Sequence, residues 1–114
     1  MEPIIIKGLE IWPKDFGGQM TWDEAMAEVK ELGPGWRLPT REEFRETLAS
    51  MYYHIPNLHG DYYWSSTEND YFNAWYFYFP SGSSSFNDKD DTCYVRAVRD
   101  FISDIAIEYL LKDF

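Results

Sequence analysis

The chain has 114 residues, enough for one domain with a single hydrophobic core. Its content of 45% hydrophobic and 19% aromatic residues excludes a disordered chain, because disordered sequences are poor in aromatic side chains. The 20 acidic residues outnumber the 10 basic ones, and the resulting net charge of −10, without a basic patch, argues against nucleic acid and membrane partners.

One bent strand or two short strands, followed by two capped helices, are predicted in the first half of the chain. Ile4–Ile6 and Leu9–Trp12 are β-branched and aromatic runs that are typical of strands. Residues 21–24 and 40–43 each have the Thr-x-x-Glu spacing of a capping box, which predicts a helix start at both places. Gly33 follows the first helical pattern and ends it.

The second half has the short aromatic runs and turn residues of a β-rich segment. We predict strands near Tyr62–Ser66, Ala74–Phe79 and Cys93–Arg99, joined by loops at 68–70 and 80–91. In the middle strand, alternate residues lie on opposite faces, and both faces are aromatic.

The last predicted element is a third helix over Phe101–Phe114, where apolar residues recur at helical spacing. The predicted order is β, α, α, β, β, β, α, which is an α+β pattern. A single cysteine, Cys93, excludes an internal disulfide, and residues 1–6 lack the basic and long apolar regions of a signal peptide. We therefore expect a cytoplasmic protein.

Five short motifs occur in a fixed order: Gly8-Leu-Glu-Ile-Trp12, Thr21-Trp-Asp-Glu-Ala25, Gly35-Trp-Arg-Leu-Pro-Thr-Arg-Glu-Glu-Phe44, Tyr63-Trp-Ser-Ser-Thr-Glu68 and Val95-Arg-Ala-Val-Arg99. This ordered series resembles that of the DUF1566 family, the module at the C-terminus of the Legionella collagen-like adhesin. The resemblance covers residues 8–99.

This resemblance implies a C-type lectin-like fold, with two helices flanking a small twisted antiparallel sheet. We accordingly assign residues 1–99 to a C-type lectin-like domain and residues 100–114 to an extra C-terminal helical extension of it. The resemblance to the adhesin implies a sulfated polysaccharide as the ligand, but a net charge of −10 does not favour that ligand here.

A structural role is predicted for the segment around the third motif. Trp36 belongs in the core, Arg37 ties down irregular backbone with its five donors, and Pro39 and Thr40 set the entry of the second helix. Trp64 is assigned to the core, together with Trp75 and Phe77.

An enzymatic function is not expected. The same Trp-Arg-Leu-Pro-Thr segment is distantly similar to formylglycine-generating enzymes, but those enzymes use a cysteine pair that holds copper, and this chain has only Cys93. His54 and His59 do not have the spacing of metal ligands or of a triad with Ser65 or Ser66.

No cofactor is expected, and calcium is the one ion that the composition of the acidic loops allows. Asp88, Asp90 and Asp91 supply oxygen ligands of the kind that Ca²⁺ prefers. The Glu-Pro-Asn and Trp-Asn-Asp calcium signatures of sugar-binding C-type lectins do not occur in this chain.

The region between residues 61 and 91 is rich in Tyr, Ser, Asn and Asp, which is the composition of binding surfaces. It predicts a non-catalytic module that recognises a glycan or a protein surface. The candidate ligand-binding residues are Tyr62, Glu68, Asn69, Asp70, Tyr71, Tyr76, Tyr78 and Asn87. Two alternatives stay open: the aromatic residues simply form a core, or residues 101–114 mediate homo-oligomerisation or docking in an assembly protein.

Overall fold

Two three-stranded antiparallel sheets form the framework of the chain, of which the computed structural model describes residues 3–101. The first sheet has the order β1-β2-β6 and the second the order β3-β4-β5. The strands are β1 (Ile4–Ile6), β2 (Leu9–Ile11), β3 (Tyr62–Glu68), β4 (Asn73–Tyr78), β5 (Ser83–Asp88) and β6 (Val98–Asp100).

A two-residue turn joins β1 to β2. Its residues, Lys7 and Gly8, have φ angles of 48° and 80°. Positive φ at both positions is the backbone of a type I′ turn, whose twist matches that of two antiparallel strands, and glycine adopts it without steric cost.

The first predicted helix is confirmed as α1 (Trp22–Lys30), together with its capping box. The Thr21 amide donates to Glu24 Oε1 at 3.1 Å, and the Glu24 amide donates to Thr21 Oγ1 at 3.4 Å. Trp22, Ala25 and Val29 are buried on one face of α1. The helix therefore contributes one apolar face to the core.

The second predicted helix is not regular, although its capping box at Thr40 and Glu43 is present. It consists of one α-helical turn (Arg41–Glu43), a π-helical turn (Phe44–Leu48) and a 3₁₀ segment (Ala49–His54). Phe44 and Leu48 are both buried, and the Phe44 ring stacks on Phe77 with centroids 5.4 Å apart. Packing of these two side chains against the second sheet accompanies the wider turn.

The predicted fold class is therefore wrong. The α+β, C-type lectin-like arrangement required two helices flanking one small sheet, whereas residues 3–101 have two small antiparallel sheets and one α-helix of more than a single turn. The stretch from Ser81, predicted as a loop, enters β5, because residues 83–88 pair with β4 along their whole length. The predicted C-terminal helix falls on residues 102–114, which lie outside the described residues.

Two aromatic clusters make up the core. The first contains Trp22, Trp36 and Trp64 and lies between α1 and one face of the second sheet. The second contains Phe44 and Phe77 and lies on the opposite face of that sheet. Both faces of β3 and β4 therefore contribute to the core, whereas Trp75, which was assigned to the core, is half-buried and belongs to neither cluster.

The extended segment at residues 93–98 connects the two sheets. The Tyr94 amide donates to the Tyr62 carbonyl at 2.9 Å, which attaches the segment to β3. The Trp12 amide donates to the Ala97 carbonyl at 2.9 Å, which attaches it to the chain after β2. One segment therefore fixes the position of both sheets.

A buried ion pair lies beside this segment. Arg96 is 1% exposed, and its Nε donates to Asp15 Oδ1 at 2.8 Å. The remaining guanidinium nitrogens of Arg96 donate to the carbonyls of Trp12, Pro56 and Asn57 at 2.9–3.1 Å. Each nitrogen of the guanidinium therefore has an acceptor, which buried charges require.

The carboxylate of Asp15 has two further partners. Its Oδ2 accepts a hydrogen bond from the Tyr63 hydroxyl at 2.6 Å and lies 2.6 Å from His59 Nδ1. Burial and the hydrogen bond to Asp15 raise the pKa of Tyr63 far above its ordinary value, so its hydroxyl stays a donor.

Replacing Asp15 with alanine tests the importance of this pair. The variant leaves the Arg96 guanidinium buried without its counter-charge, so we expect the free energy of unfolding to fall by about 3–5 kcal/mol. Urea unfolding followed by tryptophan fluorescence measures the change. The control is Glu46→Ala, since Glu46 pairs with Arg45 at 3.5 Å on the exposed surface and its loss should change stability by less than about 0.5 kcal/mol. Equal losses in both variants would contradict the prediction.

The ion pair between Arg37 and Glu43 predicts a dependence of stability on pH. Burial alone would raise the pKa of the Glu43 carboxyl, but hydrogen bonds from Arg37 and from the Thr40 amide lower it below its ordinary value of 4.5. The stabilisation is then present above about pH 4.5 and is lost as the pH falls through the folded-state pKa. We expect the stability difference between the wild type and Glu43→Gln to shrink below that pH in urea titrations, and a constant difference would refute this.

Candidate functional site

The loop between β3 and β4 presents two neighbouring aromatic rings at the surface. Tyr71 is 82% exposed and Phe72 is 68% exposed, and their centroids lie 5.0 Å apart in an edge-to-face arrangement. Large exposed apolar groups that lie together are a common mark of an interaction site.

The Asp70 side chain closes this loop. Its Oδ1 accepts hydrogen bonds from the Phe72 and Asn73 amides, both at 2.8 Å. These bonds, the one from Phe72 first, lower the pKa of the Asp70 carboxyl below its ordinary value. The Asn69 and Asp70 amides both donate to the Asn73 carbonyl, so the loop is fixed by its own hydrogen bonds.

The two rings border an open cleft with a volume of about 330 Å³. Three parts of the chain form it: the start of α1, the β3–β4 loop and the turn after β5. The lining residues are Asp23, Tyr71, Phe72, Asp88, Lys89 and Asp90.

Backbone hydrogen bonds of Lys89 bring these three parts together. Its amide donates to the Phe72 carbonyl at 2.9 Å, and its carbonyl accepts from the Trp22 amide at 3.1 Å. The turn after β5 is therefore joined both to the aromatic loop and to the start of α1. The cleft depends on long-range backbone contacts rather than on one local motif.

The charges of the cleft are predominantly negative. The Lys89 ammonium lies 2.7 Å from Glu68 Oε2 and 4.5 Å from the centroid of the Trp22 ring, so it is already paired within the protein. Asp23, Asp88 and Asp90 are exposed. Asp88 accepts a hydrogen bond from the Asp90 amide at 2.8 Å, while the described residues donate none to the carboxylates of Asp23 and Asp90.

Seven of the eight predicted ligand-binding residues separate into two groups. Glu68, Asn69, Asp70 and Tyr71 lie at the loop, where Asp70 fixes the backbone and Glu68 binds Lys89. The second group lies towards the opposite end of the sheet, whereas Asn87 lies at the loop end of β5 and belongs to neither group.

That second group is a tyrosine cluster, made of Tyr62, Tyr76 and Tyr78. The Tyr62 ring lies 4.9 Å from Tyr76 and 4.7 Å from Tyr78, and Tyr62 is 44% exposed. Asn87 pairs with Ala74 across β4 and β5 and uses its side-chain oxygen to accept from the Asp88 amide. The structure does not bring these four residues to the cleft.

The candidate calcium ligands form a turn. Asp88 Oδ1 accepts from the Asp90 amide, and the Asp88 carbonyl accepts from the Asp91 amide at 3.0 Å. Among residues 3–101, no group of three or more His, Cys, Asp or Glu side chains is placed to hold a metal ion. Over the same range, no helix has the length and apolar character needed to cross a membrane.

The residues assigned structural roles lie at the junction of the sheets. Trp36, Pro39 and Trp64 are buried, and Trp64 Nε1 donates to the Met20 carbonyl at 2.9 Å. Arg37 forms two hydrogen bonds with Glu43, at 2.7 and 2.8 Å, and Thr40 accepts from the Glu43 amide. These contacts are away from the cleft.

Three cleft residues were not predicted from the sequence. Phe72 stands beside Tyr71 in a polar loop, and two adjacent aromatics in such a loop were a usable signal. Asp23 and Lys89 gave none, because the cleft joins positions 66 residues apart in the sequence. Asp23 occurs in the sequence analysis only as a member of the motif at residues 21–25.

Ser65, His59 and Cys93 lie in different surroundings. Ser65 is buried and donates to the Trp75 carbonyl at 2.6 Å, whereas His59 lies beside Asp15 and stacks on Tyr94 at 4.0 Å. Cys93 is buried in the first core cluster. These groups have separate, structural neighbours.

The burial of Cys93 predicts that its thiol reacts slowly in the folded protein. Burial first, and then the charges of Asp61 and Asp91, raise the pKa of its thiol to about 12. We expect a thiol reagent at about pH 8 to modify the native protein at least a hundredfold more slowly than the urea-unfolded chain, since only the thiolate reacts. A colorimetric thiol assay measures both rates. Equal rates would show that Cys93 is accessible and reactive in the folded protein.

Comparison with known proteins gives a family match. A model of the family described as the Lcl C-terminal domain matches residues 7–99, which is most of the chain. A search of curated proteins found no match. The matched range includes β2, α1, the whole second sheet and the described residues that line the cleft, whereas β1 and the last residue of β6 lie outside it.

Proposed function

Since the chain belongs to the Lcl C-terminal domain family, we propose that it is a non-catalytic recognition module that binds a glycan in the Tyr71–Phe72 cleft. The family is consistent with an adhesin-like domain of the Legionella collagen-like protein type. The order of the five sequence motifs supports a further kinship with the DUF1566 family.

The observation that carries this proposal is the exposed pair of rings at the edge of the cleft. Tyr71 and Phe72 leave most of their surface in water, which costs free energy in the unbound protein. Aromatic faces give sugar C–H surfaces a large contact area at a small cost in conformational entropy. The cost of exposing the rings is recovered when a ligand covers them.

The size and lining of the cleft favour a saccharide over a protein surface. A volume of about 330 Å³ is at the small end of the usual range for small-molecule sites. The carboxylates of Asp23 and Asp90 can accept hydrogen bonds from sugar hydroxyl groups. A few polar groups beside aromatic rings is the usual arrangement of such sites.

The same charges disfavour a sulfated polysaccharide. Three carboxylates line the cleft, and the ammonium of Lys89 is paired with Glu68. A sulfate group would therefore meet repulsion without an available counter-charge. We propose an uncharged or cationic saccharide instead.

Binding to a glycan array, with and without calcium, tests the proposal, followed by calorimetry on the strongest ligand. We expect Tyr71→Ala to weaken that ligand at least about tenfold, because it removes the stacking surface. The control is Tyr53→Ala, which is the same tyrosine-to-alanine change. Tyr53 is 94% exposed and lies on the segment after Leu48.

Two outcomes would contradict the proposal. If no saccharide binds in either condition, the cleft is not a glycan site, and the exposed rings then indicate a protein partner. If a saccharide binds and both tyrosine variants retain full affinity, the glycan site lies elsewhere.

A further inference from the structure

We propose that the cleft selects a saccharide that carries a free amino group, which binds as an ammonium ion between the Tyr71 and Phe72 rings and the carboxylates of Asp23 and Asp90. This inference rests on the proposed function, and it names the class of glycan. Three features support it: the two aromatic rings, the carboxylates that line the cleft and the ammonium group of Lys89.

The first support is the combination of rings and carboxylates. Aromatic faces attract cations through their quadrupole, with an effect of about 0.5–1 kcal/mol at exposed positions. Tyr71 and Phe72 provide these faces, and Asp23 and Asp90 lie in the same cleft with exposed carboxylates. Rings alone would accept any sugar, whereas rings beside carboxylates favour a cationic one.

The second support is that the site already accommodates one ammonium ion, that of Lys89. Its Nζ lies 4.5 Å from the centroid of Trp22 and 5.9 Å from that of Tyr71, and Glu68 Oε2 accepts from it at 2.7 Å. An ammonium ion beside aromatic rings and a carboxylate therefore already occurs next to the cleft, with Tyr71 as the ring that also lines it. Phe72 and Asp90 offer the same types of group to a ligand in the cleft.

The third support is the balance of charge. Lys89 is the one basic residue in the cleft lining, against Asp23, Asp88 and Asp90. Because Lys89 pairs with Glu68, Lys89 does not neutralise the three carboxylates of the lining. At low ionic strength, an added ammonium ion is attracted over about 10 Å or more.

A saccharide amine fits better than the side chain of a bound peptide. An extended peptide needs free backbone groups with which to pair. In the loop, the amides of Asn69 and Asp70 already donate to the Asn73 carbonyl. The amides of Phe72 and Asn73 already donate to the Asp70 side chain. Short carboxylates, in contrast, can accept from the amino group and from the neighbouring hydroxyl groups of one sugar ring.

The decisive experiment compares two tetrasaccharides with the same backbone, one of glucosamine and one of N-acetylglucosamine. Calorimetry is carried out at about pH 5.5, where the amino groups of the glucosamine tetramer are protonated. We expect the glucosamine tetramer to bind at least about fivefold more tightly. We expect that preference to disappear in 1 M salt, where the screening length is about 3 Å.

Charge-matched variants separate this site from general attraction to an acidic protein. Asp90→Asn and Glu46→Gln each remove one negative charge, but only Asp90 lies in the cleft. We expect Asp90→Asn to weaken the glucosamine tetramer by about two- to fivefold and Glu46→Gln to leave it unchanged. Tyr71→Leu, which retains apolar bulk without the ring, should weaken it by a similar factor.

The outcomes distinguish this inference from the proposed function. Equal affinity for both tetramers, still dependent on Tyr71, overturns the inference and leaves a glycan site in place. Binding that Asp90→Asn and Glu46→Gln reduce equally shows general charge attraction and also overturns it. Binding of oligolysine through Tyr71, with no saccharide bound, overturns both the inference and the proposed function.

Discussion

The fold depends on the buried pair of Arg96 and Asp15. A charge in the interior is strongly unfavourable unless its hydrogen-bonding capacity is used, and Arg96 uses all three nitrogens while Asp15 uses both oxygens. The acceptors belong to parts of the chain that are 84 and 40 residues distant from Arg96. Within residues 3–101, every buried side-chain nitrogen or oxygen has a partner. One ion pair thus determines where the irregular segments between the sheets must lie.

The arrangement of the core leaves the cleft outside it. The two aromatic clusters cover opposite faces of the second sheet, whereas Tyr71 and Phe72 lie at the end of β3 and β4, beyond both clusters. A backbone hydrogen bond from Lys89 connects the loop to the turn after β5, whereas Asp70 bonds within the loop. Changes in the ring side chains therefore affect the surface and leave the packing of the core intact.

Features that depend on a few consecutive residues were predicted correctly from the sequence. The two Thr-x-x-Glu capping boxes formed as predicted, because each needs only four consecutive residues. The second capping box did not lead to a regular helix, since the packing of Phe44 on Phe77, 33 residues away, accompanies a π-helical turn. The composition of the serine-rich stretch that begins at Ser81 predicts a loop, but pairing with β4 makes Ser83–Asp88 a strand. Composition also indicates the candidate residues near Tyr71, whereas the place of Lys89 in the cleft requires the three-dimensional contacts.

The closed loop at Asp70 has a consequence for the thermodynamics of association. Four amides of the loop are already hydrogen-bonded within the loop, so its backbone is ordered before any ligand arrives. Ordering a flexible residue costs roughly 1–2 kcal/mol, and a loop of this length would otherwise pay that cost at each of its residues. The folding of the chain, rather than the ligand, supplies this ordering. A small contact area can therefore give a useful affinity, and the encounter needs no rearrangement of the main chain.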